Sequence, residues 1–500
     1  MYDDKSFNGR KISNGDLSRI QRIRESNKKI HPIHSLRRNK LNQLPPALLK
    51  SLQDLPGFDK DAFEKVHQSG EQVTSIRVNN SKIADYKLQI TNLQFAICNL
   101  QSVPWSSTGY YLPERPSFTL DPLFHAGAYY VQEASSMFLE EVLKQTVDLS
   151  QPLKVLDLCA APGGKSTLIQ SLISAESLLI SNDVIKTRAN ILAENLTKWG
   201  AANVVVTNND PKDFQRLENF FDVIVVDAPC SGSGLFRKDP EAIDEWSEQN
   251  VQLCNQRQQR ILADVLPALK ENGVLIYSTC SYSKDEDEDI CDWLQQLSVV
   301  SCRLSVDNYR GIIETQTVSG SYGYRFYPDK IKGEGFFIAA FKKGEGSSYK
   351  EQGTKNKTEK LSVKELDAIK PYFKDVSLFS FIKMKEDILA IPCSLEKDIL
   401  LVQSLLYIRK AGIRVGAVIR EELIPDHELA MSTVISPSVL SIEVDEQTAL
   451  QYLRRAEIKL DTEVKGWALL KYQNIPLGWA KILPGRVNNY YPKDWRILNK

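Results

Sequence analysis

Five short apolar segments, separated by stretches with helical periodicity, constrain the fold of this chain more than any other feature of its sequence. They are KVLDLC (154–159), LLISND (178–183), NVVVT (203–207), FDVIVVD (221–227) and GVLIYST (273–279), and GFFIAAF (335–341) follows with the same character. The helical stretches include 187–199 and 247–270. Segments that are apolar on both faces are typical of a parallel sheet covered by helices on both sides. The sequence therefore predicts an α/β domain with a doubly wound sheet.

The chain has 500 residues, more than one hydrophobic core usually holds, and its composition changes along its length. Residues 1–42 are predicted to form a basic, flexible extension, and 43–104 carry short helix and strand patterns. The α/β domain is predicted to span 105–343. Residues 344–362 have almost no apolar side chains and indicate a linker, whereas 363–500 regain apolar patterning.

Charge, hydropathy and cysteine usage exclude several classes of protein. The net charge is zero, with 63 basic and 63 acidic side chains, which argues against a surface covered in positive charge, although residues 1–40 hold eleven Lys or Arg against four Asp or Glu. The absence of a long apolar run or a secretory leader predicts a cytoplasmic protein without a membrane span. The eight cysteines form no C-x-x-C pair and the five histidines are dispersed, so neither a metal site nor a disulfide framework is expected. Nothing in the sequence indicates more than a monomer.

A glycine-containing turn after the first apolar segment indicates a cofactor site. Doubly wound folds bind nucleotides between the first strand and its helix, where glycines let the backbone approach the ligand. Asp183 ends the second strand twenty residues after Gly163, the spacing at which a carboxylate reaches ribose hydroxyls, and Asp210 follows the third strand, where an adenine ring would lie. The alternative is that the turn is only a tight connection to a helix beginning at Ser166. The turn comprises Cys159, Ala160, Ala161, Pro162, Gly163, Gly164 and Lys165.

Three motifs together resemble the NOL1/NOP2/Sun family of RNA cytosine-5 methyltransferases. They are VLDLCAAPGGK (155–165), DAPCSGSG (227–234) and STCSY (278–282), and HAGAYYVQEASS (125–136) is similar to the segment that precedes them in that family. The resemblance covers 105–343 and implies a Rossmann-like methyltransferase domain that uses S-adenosyl-L-methionine. It also implies that the cofactor site consists of the turn at 159–165 together with Asp183, Asp210 and Asp227.

The flanking regions resemble those of bacterial ribosomal RNA methyltransferases in the same family. PLGWAK (476–481) and NNYYPKDW (488–495) look like a C-terminal PUA-like region, and 43–104 resembles a small α+β RNA-binding module with Arg77 and Asn79 in its alternating segment. The resemblance implies that the partner is RNA, as 16S rRNA or the small ribosomal subunit. Aromatic and basic side chains near the C-terminus suit base stacking and suit the core of a small domain equally well. These side chains are Trp479, Arg486, Tyr490, Tyr491 and Trp495.

The chemistry of cytosine methylation explains why two cysteines are needed. Carbon 5 of cytosine is a poor nucleophile, and a thiolate that adds at C6 makes it able to attack a sulfonium methyl group. The resemblance implies that Cys280 is this nucleophile and that Cys230 resolves the adduct. Asp227 is expected to contact the base near N3, and Lys165 to lower the pKa of a nearby thiol or to orient the base. A competing assignment makes Cys230 the nucleophile, as in DNA cytosine-5 methyltransferases, but the second cysteine favours Cys280.

Two other functions remain open at this point. The same motifs would serve a tRNA cytosine-5 methyltransferase. A non-catalytic RNA-binding ribosome assembly factor would keep the fold, although the intact motifs argue against it.

The sequence therefore predicts an enzyme that methylates C5 of a cytosine in 16S rRNA. The target base must be unpaired or flipped out, because its C5 and C6 atoms are inaccessible within a stacked helix.

Overall fold

The structure is a computed structural model that describes residues 43–83, 100–344, 361–384 and 386–498. The predicted basic extension at 1–42 and most of the predicted linker lie outside the described residues, as does Cys98. The strands are β1 (Thr74–Val78), β2 (Gly109–Leu112), β3 (Tyr129–Val131), β4 (Lys154–Asp157), β5 (Leu178–Asn182), β6 (Val204–Thr207), β7 (Phe221–Asp227), β8 (Leu269–Thr279), β9 (Val299–Cys302), β10 (Ile312–Gln316), β11 (Tyr322–Phe326), β12 (Phe336–Lys343), β13 (Phe379–Met384), β14 (Asp387–Pro392), β15 (Ile408–Ala411), β16 (Ile413–Ile419), β17 (Glu422–Pro425), β18 (Ser441–Glu443), β19 (Gly466–Tyr472), β20 (Ile475–Leu483) and β21 (Arg486–Asn489). The α-helices are α1 (Pro46–Leu52), α2 (Lys60–Gln68), α3 (Pro122–His125), α4 (Leu139–Thr146), α5 (Gly164–Leu172), α6 (Lys186–Trp199), α7 (Ala242–Glu245), α8 (Glu248–Val265), α9 (Glu288–Gln295), α10 (Val363–Ile369), α11 (Glu396–Leu405), α12 (His427–Met431) and α13 (Glu446–Leu453).

The predicted parallel sheet is confirmed and forms the centre of the molecule. Its parallel strands lie in the order β8-β7-β4-β5-β6, and β12, β11 and β10 extend it by antiparallel pairing beyond β8. Along β7, Val223 and Val225 join the core on one face, whereas Ile224 and Val226 join the core on the other. Burial on both faces explains why these segments are apolar throughout. The strands that follow β4 in the chain, β5 and β6, lie on one side of it, and the next two, β7 and β8, lie on the other. Open α/β sheets bind ligands at the point where the strand order switches in this way, here between β4 and β7.

Two helix boundaries differ from those expected from periodicity. The helix predicted over 247–270 is α8, which ends at Val265 and passes through a short 3-10 turn into β8. Pro267 lies in that turn and lacks the amide hydrogen that a continuing helix needs. The helix expected from Ser166 already begins at Gly164, so the end of the glycine turn forms the first turn of α5.

A small antiparallel sheet, β2-β1-β3, joins residues on both sides of position 104 and supports the central domain. Arg77 in β1 is buried, and its guanidinium donates to Thr167 Oγ1 in α5 at 2.5 Å and to Gln132 Oε1 at 2.9 Å. Asn79 is also buried, and its amide donates to the backbone carbonyl of Trp199 at the end of α6 at 3.0 Å. Both polar side chains therefore hold the sheet against the helices that follow β4 and β5.

The C-terminal region forms two four-stranded sheets and also completes the central one. One sheet has the order β13-β14-β16-β17 and the other β18-β19-β20-β21. Between α11 and β16, strand β15 pairs antiparallel with β6 and becomes the edge of the central sheet. The side-chain amide of Asn209 donates to the Tyr407 backbone carbonyl at 3.0 Å, and the Tyr407 backbone amide donates to Asn209 Oδ1 at 2.9 Å. The C-terminal region thus fixes the loop that follows β6.

The C-terminal aromatic side chains divide between the core and the surface. Trp479 and Tyr491 are buried, and the Trp479 indole donates to the Asp426 carbonyl at 2.8 Å. Tyr490 is 42% exposed and packs against the ring of Trp467. The core role expected as one alternative therefore holds for Trp479 and Tyr491, and Tyr490 presents an aromatic face toward solvent.

Candidate active site

The polar residues predicted for the site meet at the carboxyl edge of the central sheet. The glycine turn leaves the end of β4, Asp227 ends β7, and Cys280 follows directly on β8. Because β4, β7 and β8 are parallel neighbours, their carboxyl ends lie side by side. The sheet therefore brings together residues that are more than one hundred positions apart in the chain.

The turn after β4 is held open by backbone conformation and by side chains from α6. Gly163 has φ of 118°, a left-handed value that favours glycine. Arg188 donates to the Ala161 carbonyl at 2.7 Å, and Asn195 donates to the Pro162 carbonyl at 2.8 Å. These contacts occupy turn carbonyls and leave the first amides of α5 at the edge of the site. The N-terminus of a helix favours negative charge and hydrogen-bond acceptors.

A buried carboxylate lies under this turn. Asp157 at the end of β4 accepts a hydrogen bond from the Ser166 hydroxyl at 2.6 Å, and its other carboxyl oxygen has no protein partner. Burial raises the pKa of Asp157 to about 7, and the charges of Asp227 and Asp183 act in the same direction. The carboxyl ends of neighbouring strands thus concentrate acceptor groups in a small region.

The two other predicted acidic residues differ in their surroundings. The Asp183 side chain is 3% exposed, accepts from the Ile185 amide at 2.9 Å and lies 3.5 Å from an Arg188 guanidinium nitrogen. Asp210 caps the 3-10 helix Pro211–Leu217 and lies 3.7 Å from Arg260. Asp183 is therefore buried at the sheet edge, whereas Asp210 caps a helix at the more exposed periphery of the site, its rim.

The two cysteines of the sequence motifs are direct neighbours. The sulfur atoms of Cys230 and Cys280 are 2.9 Å apart, and both residues are partly exposed. A hydrogen bond with Cys280, burial and the nearby charges of Cys280 and Glu286 raise the pKa of Cys230 well above its ordinary value. Cys230 is therefore harder to deprotonate than an ordinary thiol. The pKa of Cys159, in the turn after β4, is also raised, by burial first and by the charge of Asp157 second.

Lys165 and Asp227 complete the polar edge beside the cysteines. Lys165 Nζ lies 2.8 Å from Asp227 Oδ2, and Ser278 donates to the other carboxyl oxygen at 2.8 Å. Burial lowers the pKa of Lys165, but the charge and hydrogen bond of Asp227 outweigh it and leave the pKa above its ordinary value. The Lys165 ammonium therefore stays charged, and the charge of Cys280 contributes to the same shift.

Sequence reasoning missed Glu286, the buried carboxylate behind the cysteine pair. It lies in a run of five acidic residues, 285–289, directly after the motif that carries Cys280. One of its carboxyl oxygens accepts from the Ser231 hydroxyl and from the Ser281 hydroxyl, each at 2.6 Å. The signal in the sequence was an acidic run that begins five residues after Cys280, close to the end of a predicted strand. Such a run is usually interpreted as a solvent-exposed surface.

The described ranges contain neither a candidate metal site nor a candidate membrane-spanning helix. No group of three or more His, Cys, Asp or Glu side chains there is arranged to hold a metal ion. In the same part of the chain, no helix combines the length and the apolar character that crossing a bilayer requires.

Three family descriptions match separate parts of the chain. Residues 144–342 match 16S rRNA methyltransferase RsmB/F, 44–134 match the N-terminal domain of 16S rRNA methyltransferase RsmF, and 439–497 match the methyltransferase RsmF PUA domain. The predicted α/β domain with an N-terminal module and a C-terminal PUA-like region is thereby confirmed.

Individual relatives agree with these matches. The chain is 29% identical to Ribosomal RNA small subunit methyltransferase F of Shewanella loihica over 441 residues, covering 84% of this chain and 88% of the relative. It is 29% identical to the protein of that name in Aeromonas salmonicida over 442 residues, covering 84% and 90%. The crystal structure of NSun6 from Pyrococcus horikoshii with SFG covers 61% of this chain and is itself covered completely, with a TM-score of 0.51 and 22% identity, a likeness of fold.

Proposed function

Since the chain belongs to the family of 16S rRNA methyltransferases RsmB/F, we propose that it transfers a methyl group from S-adenosyl-L-methionine to C5 of one cytosine in 16S rRNA. The observation that carries this proposal is the pair of cysteine sulfurs 2.9 Å apart beside the Lys165–Asp227 ion pair. Two adjacent thiols at the carboxyl edge of a parallel sheet supply both a nucleophile and a partner for its release. We further propose that the enzyme acts as a cytoplasmic monomer on RNA of the small ribosomal subunit.

The residues at the edge of the sheet fit S-adenosyl-L-methionine. The left-handed turn at Gly163 allows close approach, and the carboxylate of Asp183 supplies acceptors for ribose hydroxyl groups. Asp210, at the rim, is the acceptor we assign to the adenine end, and residues 159–165 with Asp227 surround the remainder. When bound, this cofactor supplies an electrophilic methyl group on a sulfonium sulfur.

Cys280 is the nucleophile in this proposal. Its sulfur adds to C6 of the cytosine, which breaks the conjugation of the ring and makes C5 electron-rich. The raised pKa of Cys230 supports this division of roles, because it makes Cys230 the poorer source of a thiolate.

Cys230 closes the cycle. We assign to it the loss of its thiol proton to solvent and then the removal of the C5 proton, whose electron pair re-forms the C5–C6 double bond as the bond between C6 and the Cys280 sulfur breaks. Cys280 then leaves as a thiolate and Cys230 is a thiol again, so that one proton is released to solvent for each methyl group transferred. Proton transfer by a positioned side chain typically contributes about 10²–10⁴-fold to the rate.

Asp227 and Lys165 prepare the edge for the base. Asp227 is 36% exposed and faces the site, so its carboxyl group is the one we assign to the N3 edge of the cytosine. There it would hold a proton, taken up from solvent at N3 and released again at the end of the cycle, that offsets the negative charge brought into the ring by the attacking thiolate. Lys165 holds that carboxylate in place and its charge favours the thiolate of Cys280.

Cysteine variants test the roles within the reaction. Cys280→Ala is expected to abolish methyl transfer to 16S rRNA in an assay with radiolabelled S-adenosyl-L-methionine. Cys230→Ala is expected to accumulate a covalent protein–RNA adduct that survives denaturing electrophoresis. Cys393→Ala, which changes an exposed cysteine directly after β14, serves as the matched control and should retain activity. An adduct formed by the Cys280 variant and not by the Cys230 variant would reverse the two assignments.

The substrate is tested with three RNA preparations. Naked 16S rRNA, intact small subunits and bulk tRNA are offered to the purified enzyme, and bisulfite sequencing locates the protected cytosine. Methylation of a single cytosine in 16S rRNA is expected. Methylation confined to tRNA would keep the chemistry and overturn the substrate, and no methylation of any RNA would favour a non-catalytic assembly factor.

A further inference from the structure

Glu286 is fully buried beneath the two cysteines and joins the loops that carry them. It lies in a 3-10 turn, Lys284–Glu286, just after the Cys280 loop. One carboxyl oxygen accepts from the Ser231 amide at 2.8 Å, and the other accepts from the hydroxyls of Ser231 and Ser281, each at 2.6 Å. Ser231 directly follows Cys230, and Ser281 directly follows Cys280. A single carboxylate therefore holds the neighbour of each cysteine.

The hydrogen-bond pattern favours the ionised form of Glu286. Its oxygens accept from one backbone amide, from two hydroxyls and from the Gln258 amide at 3.3 Å. Burial raises the pKa of Glu286 above its ordinary value, and these four donors reduce the rise without cancelling it. An ionised carboxyl accepts all four bonds, whereas a protonated one would have to donate to the Ser231 or Ser281 hydroxyl and lose the bond that this hydroxyl donates.

The cost of this arrangement argues against a purely structural brace. Within the ranges that the structure describes, no ion pair links Glu286 to a Lys or Arg, whereas the neighbouring Asp287 and Glu288 both pair with Arg325. A buried carboxylate without a cation is expensive, and neutral side chains can join two loops at lower cost. The charge itself is therefore used.

Two cysteines, Cys254 on α8 and Cys230, respond to this charge, and both have a raised pKa. The charge of Glu286 adds to the hydrogen bond, burial and Cys280 charge that raise the pKa of Cys230. The carboxylate thus favours a protonated Cys230. Gly234 supports the same geometry from the other side, because its amide donates to the Cys280 carbonyl at 2.9 Å.

We propose that Glu286 is a positioning residue that holds Cys230 and Cys280 at their short separation and places a negative charge beside Cys230. The inference rests on the proposed function for the meaning of that separation in catalysis. The separation itself is measured without RNA, because two thiols in contact are oxidised rapidly by diamide, which takes up two hydrogen atoms as the disulfide forms.

The experiment compares Glu286→Ala and Glu286→Gln with the wild-type enzyme. Peptide mapping follows the disulfide between Cys230 and Cys280 after diamide is added, calorimetry measures S-adenosyl-L-methionine affinity, and steady-state assays give kcat and KM for RNA. Glu286→Ala is expected to slow both disulfide formation and kcat by about tenfold or more, because small misplacements of reacting groups are costly. Cofactor affinity and KM should change by less than about twofold.

Glu286→Gln keeps the length of the side chain and its bond to the Ser231 amide. It is expected to restore rapid disulfide formation and only part of kcat, because the negative charge beside Cys230 is lost. Asp289→Asn changes a partly exposed acid of the same run and should match the wild-type enzyme throughout. Glu288→Gln weakens the Arg325 network and should lower the Tm without changing the rate of disulfide formation below that Tm.

Ser281→Ala keeps the experiment decisive if Glu286→Ala does not fold. It removes one hydroxyl bond to Glu286 on the Cys280 side and is expected to slow disulfide formation about threefold or more. Wild-type rates of disulfide formation in Glu286→Ala, or in Ser281→Ala if the first variant is unfolded, would overturn the inference. Slower disulfide formation together with no methylation by the wild-type enzyme would reject the proposed function and leave the positioning role intact.

Discussion

Lys165 and Asp227 form an ion pair of 2.8 Å that joins the turn after β4 to the end of β7. The Lys165 ammonium also lies 5.1 Å from the centre of the Phe336 ring, at the start of β12. The pair therefore connects three strands of the sheet at the point where the cysteines are exposed. The Lys165 side chain is 12% exposed and is shielded from solvent, whereas the Asp227 side chain is 36% exposed.

Removing either partner of this pair should reduce turnover. Asp227→Asn and Lys165→Met are each expected to lower kcat by about 10²–10⁴-fold, because a carboxylate facing the base and the charge beside Cys280 are lost. Lys270→Met breaks the Lys270–Asp222 pair at the opposite end of β7 and should leave kcat unchanged. The measurement is methyl transfer under saturating cofactor, and equal losses in all three variants would contradict a role specific to the site.

Arg77 should control the affinity of the cofactor from a distance. Arg77→Met removes the donors to Thr167 and Gln132 and leaves buried acceptors unpaired, so the free energy of unfolding should fall by about 2–3 kcal/mol. Because the end of the cofactor turn forms the first turn of α5, S-adenosyl-L-methionine should bind about tenfold more weakly, as measured by calorimetry. Arg115→Met, at an exposed position, is the control. Unchanged cofactor affinity in a destabilised Arg77 variant would confine Arg77 to a structural role.

Gly234 has no room for a side chain. A Cβ atom there would lie 2.5 Å from the Gly335 carbonyl oxygen and 2.8 Å from that of Cys280. Gly234→Ala is therefore expected to displace the Cys280 loop, to lower kcat by about 10²-fold and to cost about 1–3 kcal/mol of stability. Gly344→Ala, whose Cβ would lie 3.4 Å from the Ser298 carbonyl oxygen, is the control. Wild-type kcat in Gly234→Ala would show that the loop tolerates the shift.

Asp157 should make the stability of the protein depend on pH. Its pKa is raised from 3.8 to about 7, so the folded state binds a proton more tightly than the unfolded chain does. The resulting stabilisation is complete below pH 3.8 and is lost as the pH rises through about 7. Its full size is roughly 4 kcal/mol. Asp157→Asn should therefore be more stable than the wild-type protein at pH 8, and the advantage should shrink toward pH 5.

Urea denaturation at the two pH values measures this difference without cofactor. Asp148→Asn, a fully exposed carboxyl in the loop before β4, is the matched control and should show no such change with pH. An Asp157→Asn variant that is less stable than the wild-type protein at both pH values would mean that the bond to Ser166 outweighs the cost of burying the charge.

The parallel sheet and the cluster at its edge were predictable because they follow from local patterns. Runs apolar on both faces predict central strands, and residues at the ends of such strands meet at one edge. The glycine turn, Asp227 and Cys280 could therefore be placed before the structure was known. The end of α8 was misjudged because the apolar periodicity continues through Pro267 into the first residues of β8.

Contacts between distant segments could not be predicted in this way. An arginine in an alternating segment normally faces solvent, and nothing local shows that Arg77 has Thr167 and Gln132 as buried partners. Glu286 lies in an acidic run that is typical of a solvated surface, and only the pairing of β7 with β8 brings Ser231 to it. Tertiary partners decided the burial of both residues.

Strand β15 makes the two halves of the chain inseparable. The backbone of β6 is paired along one side by β5 and along the other by β15, which lies some two hundred residues later. A chain truncated after the central domain would leave β6 as a bare edge with unpaired amides and carbonyls, the kind of surface that recruits strands from other chains. The shortened protein would therefore aggregate even with every catalytic residue present, and attempts to graft this domain elsewhere must carry residues 408–411 along or replace them.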